Sequence, residues 1–290
     1  MKETTCAFYK GVNLGGWMSQ CDYSEARLDG FITEPDFARI AAWGFDHVRL
    51  PIDYNVLLEE NGAPKEDGFR RVAAALGLCE RYGLGAVLDL HKTPGFSFDA
   101  QEGEGGFFDS EKHQETFYRL WEELAGRFGG APERVRFELL NEVTEPEFLE
   151  PWLRISRECV RRIRRLAPDT QILLGSYHHN GVRELAALPA PYDGNVLYNF
   201  HCYEPLIFTH QGAPWIAEMD TEFRMSFDST YGEYIDNNNK HLDHITGDMS
   251  AFDKDALFGP EFFERYLAEA VKVAEERGVM LYCGEYGVID

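Results

Sequence analysis

The chain has 290 residues, of which 44% are apolar and 14% aromatic, enough for one or two packed domains and too apolar to stay disordered. Lysine and arginine total 28 against 50 acidic residues, a formal charge of −22. Such a surface repels phosphate backbones and anionic lipid, which argues against nucleic-acid and membrane partners. A neutral ligand meets no such barrier, and 21 Phe, 14 Tyr and 5 Trp supply rings on which its apolar faces can stack.

No window approaches the roughly 18 unbroken apolar residues of a membrane helix. The opening MKETTCAFYKGVNLGGW lacks the apolar core of a secretory leader, so the expectation is a cytoplasmic chain or one whose leader has been removed. Cys6, Cys21, Cys79, Cys159, Cys202 and Cys283 are scattered and form no CxxC pair, which predicts reduced core thiols.

Taken in order, Phe8–Leu14 predicts a first strand, and TEPDFARIAAW a helix capped by Thr33 and stopped at Gly44. Asp46–Leu50 predicts strand two, closed by Pro51, and Gly68–Tyr82 a helix before strand three at Gly85–Leu90. The alternation continues with a helix at Glu111–Phe128, a strand at Val135–Leu140, a helix at Glu147–Leu166 and a strand at Gln171–Gly175. A weak helix near Gly181–Leu188, a strand at Asn195–His201, a helix at Glu261–Arg277 and a strand at Val279–Cys283 complete it. Strands that are nearly all apolar and alternate with helices predict a parallel sheet covered on both faces. No GxGxxG or Walker pattern appears, so no cofactor is expected and a (β/α)8 TIM barrel is favoured over a doubly wound sheet. No linker interrupts the pattern, so residues 1–290 read as one domain. Between His201 and Pro260 the rhythm fails: residues 202–260 predict a long loop, rich in acids and aromatics, serving as a cleft wall or lid.

Barrel enzymes gather their chemistry at the C-terminal ends of strands. Those positions here hold Arg49, His91, Asn141, Glu142, His201, Tyr203 and Glu285. Two opposed carboxylates among such neighbours suit glycoside hydrolysis, where one protonates the leaving oxygen and the other attacks the anomeric carbon or activates water. His178–His179 and the HLDH stretch (His241–His244) invite a metal reading, but neither comes with a recognisable carboxylate pattern, so no metal is expected.

The segments GVNLGGW, HVRLPIDY, LDLHKTPG, ELLNEV, FHCYEP and GEYG stand in that order between residues 11 and 287. Together they resemble glycoside hydrolase family 5, the cellulase and β-glucanase family. The opening also resembles the exo-β-1,3-glucanase branch, although HCYEPLIFTHQGAPW replaces that branch's HHY-type motif. The resemblance implies a retaining enzyme acting on β-1,4 or mixed-linkage glucan, endo-acting, with Glu142 as acid/base and Glu285 as nucleophile. An exo-β-1,3-glucanase or β-glucosidase remains the alternative, as does a barrel that binds sugar without turnover. Arg49 and Tyr203 would keep Glu285 ionised, leaving Glu142 as the protonated partner. Asn141 would hold the sugar 2-hydroxyl, His91 would bind further hydroxyls and His201 would sit beside the glutamates. Trp17 and Trp215 are candidate sugar platforms, with a core position the alternative for Trp17. The family's barrel has an eighth strand that these 290 residues do not supply, so the expectation is a barrel truncated after its seventh.

Overall fold

The structure, a computed structural model, describes residues 8–217, 219–242 and 249–289. Among these residues seven parallel strands form one sheet in sequence order: β1 (Gly11–Asn13), β2 (His47–Asp53), β3 (Gly85–Lys92), β4 (Val135–Glu138), β5 (Ile172–Gly175), β6 (Val196–His201) and β7 (Leu281–Glu285). The sheet curls until its edges nearly meet. Asn13 Nδ2 on β1 donates to the Gly284 carbonyl on β7 at 3.0 Å, and His47 Nε2 on β2 lies 2.8 Å from the Tyr282 hydroxyl.

The predicted helices lie outside this barrel at Glu34–Ala42, Glu66–Arg81, Glu111–Phe128, Leu149–Ile163 and Pro260–Arg277. Thr33 and Asp36 form a reciprocal capping box at the first of them. Gly44, Gly83 and Gly278 all take positive φ, the left-handed stop that lets the chain turn into the next strand. Strand two does not close at Pro51 but continues to Asp53. The Arg49 carbonyl accepts from Leu14 N and Asp53 N donates to the Met18 carbonyl. Pro51, midway in the two-residue repeat, therefore faces a stretch of that edge where no amide donor is required.

Period-two alternation sorts every strand into an outer and an inner face. Outward residues such as Leu50, Leu88, Phe137 and Ile172 pack with helix residues including Phe37, Phe69, Trp121 and Trp152 in one large core. Inward residues build two layers. At the floor, Phe8, Val87, Leu173 and Leu197 form a small apolar plug, with the Arg136 guanidinium 3.7 Å from the Phe8 ring centre. Above the plug the interior turns polar, with Arg49, Asp89, Glu138, Asn199 and His201 all buried.

Residues 202–260 are more than a loop. They contain the helix Tyr231–His241, capped reciprocally by Thr230 and Glu233. Tyr231, Tyr234, Met249 and Phe258 form a second apolar core there with Phe262 of the helix Pro260–Arg277, and Tyr231 stacks on Phe252 at 4.4 Å. The helix escapes a periodicity reading because its inward positions are Tyr231, Tyr234, Asn238 and His241, which form no aliphatic stripe. Cys21, Cys79, Cys159, Cys202 and Cys283 are free thiols, and Cys6 lies outside the described residues.

Candidate active site

The polar mouth of the barrel is organised around Arg49. Its guanidinium is fully buried and spreads over Glu138 (Nε and Nη2, both 2.7 Å), Asp89 (Nη2, 2.9 Å) and Glu285 (Nη1, 2.6 Å). It also donates to Asn13 Oδ1 at 3.1 Å and to Asn141 Oδ1 at 2.9 Å. Burial opposes any charge there, but Asp89, Glu138 and Glu285 outweigh it and hold the guanidinium protonated. Asn199 Nδ2 donates to Glu138 Oε1 at 2.8 Å. Burial still pushes the Glu138 carboxyl up, against the lowering pull of Arg49.

Glu285 ends β7 with both oxygens occupied, Oε1 by Arg49 and Oε2 by the Tyr203 hydroxyl at 2.7 Å. Burial resists its charge, yet His201 and Arg49 hold the carboxyl below the usual carboxylate value. Tyr203 is pushed far up, first by burial and then by Glu285, so the phenol stays a donor. Glu142 follows β4 at φ +42, a left-handed conformation that strains a non-glycine residue by roughly 1–3 kcal/mol. His201 Nδ1 lies 2.7 Å from Glu142 Oε1 and 3.6 Å from Glu285 Oε2, and one donor atom from each of the three residues falls within 4.8 Å of the others. Two carboxyl groups that close match a retaining pair (about 5–5.5 Å) and leave too little room for the intervening water of an inverting one (about 6.5–9.5 Å).

The electrostatics correct one expectation. Glu142 is not the raised carboxyl of the pair. Burial pushes it up, but hydrogen bonds from His179 (Nδ1 to Oε2, 3.2 Å) and His201 outweigh burial and hold it well below the usual value. His201 is itself held above an ordinary imidazole by Glu285 and Glu142, against the lowering effect of burial.

His91 turns Nδ1 to Asp89 Oδ2 at 2.7 Å, while its Nε2 is buried with no partner among the described residues. The Asn141 amide Nδ2 is likewise buried with no partner among the described residues, so both groups are available to a polar ligand. Trp215 is 60% exposed and meets His210 edge-on at 6.1 Å, and His210 meets Tyr203 edge-on at 5.2 Å. Trp17 is not at the cleft. Its indole nitrogen donates to the Leu28 carbonyl at 2.8 Å and its ring packs on Phe37, which makes it a core residue.

Sequence reading missed Asp89, Glu138, Asn199, Asn13 and Asn180, and it weighed His179 only as a metal ligand. Charges inside apolar strands, as in LDLH and FELL, were the available signal, because a buried charge requires a partner. Of the HLDH stretch, Asp243 and His244 lie outside the described residues.

A family model described as "Cellulase (glycosyl hydrolase family 5)" matches residues 6–290. The chain belongs to glycoside hydrolase family 5. It is 50% identical over 281 residues to Cellodextrinase A of Ruminococcus flavefaciens, covering 97% of this chain and 76% of that protein. It is 36% identical over 295 residues to Endoglucanase C of Acetivibrio thermocellus, covering 98% of this chain and 82% of the relative. The crystal structure of endoglucanase Cel5A from Thermotoga maritima superposes with a TM-score of 0.72 at 24% identity, over 99% of this chain and 81% of that one, a likeness of fold. As a family 5 member the chain is a glycoside hydrolase of TIM-barrel architecture.

Proposed function

We propose that this family 5 chain hydrolyses β-1,4-linked glucan within short chains, by double displacement with Glu142 as acid/base and Glu285 as nucleophile. The observation that carries the reading is the close carboxylate pair around His201, with Glu285 alone gripped by Arg49 and Tyr203. An ionised, doubly bonded Glu285 is ready to attack the anomeric carbon. Its lone pair forms the new C–O bond as the glycosidic C–O bond breaks, and Glu142 gives its proton to the departing oxygen. In the second half water loses a proton to Glu142 as its oxygen displaces Glu285. The Asn141 amide is free to donate to the 2-hydroxyl, where the contact strengthens as the oxocarbenium-like state forms. His91 Nε2 is available to a neighbouring hydroxyl of the same sugar.

Residues 202–260 form a cleft wall in this reading, presenting Trp215 beside His210 and Tyr203 as a sugar platform. The relatives named for cellodextrin and endoglucan support a cellulose-type backbone. A time course on cellohexaose tests this. Short oligosaccharides of several lengths from the first minutes are expected, whereas glucose alone favours an exo enzyme. Binding without release of reducing ends overturns the hydrolytic reading.

A further inference from the structure

Glu142 is gripped at both oxygens, and the two grips differ. His201, on Oε1, is buried, whereas the side chain of His179, on Oε2, is 54% exposed. His179 stands in a run of three consecutive non-glycine residues in the left-handed region, His178, His179 and Asn180, with φ of 49°, 55° and 56°. Such a run persists only when its surroundings over-determine it. Here His178 N and His179 N donate to the carbonyls of Thr144 and Val143 at 2.9 and 3.0 Å, which ties the turn after β5 to the loop that carries Glu142. Asn180 is buried beneath, with Nδ2 at 3.4 Å from His201 Nε2. One strained turn thus sets both imidazoles against the same carboxyl.

We propose that His179 is a positioning residue for Glu142, orienting Oε2 and keeping, while the cleft is empty, the proton that Glu142 later delivers. The inference rests on the acid/base reading of Glu142. Water stabilises the imidazolium–carboxylate pair at the exposed ring. A neutral sugar covering the ring removes that water and favours the uncharged pair. The Nδ1–H bond of His179 then breaks as Oε2–H forms on Glu142, leaving neutral imidazole and neutral acid. Glu142 spends the proton on the glycosidic oxygen and regains one from the attacking water, so the cycle balances without another reactant. The groups facing the pair are Glu145 on the loop of Glu142, His201, Tyr203 and His210 on and after β6, and Glu285 on β7. Glu142 holds the His179 ring above an ordinary imidazole value.

Leaving-group dependence tests the assignment, because only a poor leaving group needs the proton. His179→Asn keeps a residue tolerant of the left-handed turn, and His179→Gln keeps a donor that does not titrate. On phenyl β-cellobioside kcat/KM is expected to fall roughly tenfold to hundredfold in both, within the 10²–10⁴-fold reach of a general acid. On 2,4-dinitrophenyl β-cellobioside it is expected to change less than about threefold, and the basic limb of the phenyl-substrate pH profile moves to lower pH. Equal losses on the two substrates, or none on either, overturn the proposal. Glu142→Ala run in parallel separates the two readings. If it shows leaving-group dependence and the His179 variants do not, only the role of His179 fails; if it shows none, the acid/base assignment fails as well.

Discussion

Arg49 Nη1 donates to Glu285 Oε1 across 2.6 Å, while the rest of the same guanidinium is committed to Glu138 and Asp89. Glu285 is thus held by a cation that cannot leave, because the buried Glu138 and Asp89 carboxyl groups fix its other edge. A planar fork is required for this, since a lysine ammonium reaches as a single point.

Arg49→Lys should therefore cost about 10–100-fold in kcat/KM. Glu285 is held below its ordinary value in the wild type, so the acidic limb of the pH profile should move to higher pH in the variant. Arg49→Met, which leaves Glu138 and Asp89 buried without their cation, should lose about 3–5 kcal/mol of stability in urea unfolding.

Glu142→Gln should change how stability depends on pH. The folded carboxyl lies below its ordinary 4.5, so its contribution is fully present above pH 4.5 and is lost as pH falls toward the folded value. The melting-temperature difference between wild type and variant should be constant from pH 6 to 5 and should shrink below 4.5. A difference that grows on acidification would show that Glu142 is not held ionised.

Gly175 ends β5, where Trp152 Nε1 donates to its carbonyl at 2.9 Å. A Cβ there would run into the Asn180 side-chain amide, which is wedged beside His201. Gly175→Ala should destabilise the fold by about 1–3 kcal/mol and lower kcat by displacing Asn180, both read from melting curves and initial rates.

Trp215→Ala should raise KM on cellohexaose about fivefold, equivalent to the ~1 kcal/mol of an aromatic stacking contact. Melting temperature should stay within about 1 °C, because the ring is largely exposed. An unchanged KM would remove Trp215 from the sugar path.

The barrel was legible in the sequence because its signals are local: nearly all-apolar strands alternating with helices, helix stops at Gly44, Gly83 and Gly278, and polar residues at strand ends. Arg49, Asn141, Glu142, His201, Tyr203 and Glu285 converge as those positions imply. Less legible was what tertiary contact decides. The left-handed turn at His178–Asn180 is set by carbonyls of Val143 and Thr144, more than thirty residues upstream, and no spacing rule announces it. Trp17 reads alike as platform or core until its indole finds the Leu28 carbonyl. Glu142 reads as the protonated partner when only two carboxylates are counted, and its sign reverses once two imidazoles face it.

The central claim, that Glu285 attacks and Glu142 manages the proton, is tested most directly by azide rescue with the anomeric configuration of the product read by NMR. Azide should attack the intact β-glycoside in Glu285→Ala and give the α-glycosyl azide. In Glu142→Ala it should attack the glycosyl-enzyme and give the β-glycosyl azide. The same anomer from both variants, or no azide product from either, would contradict the account.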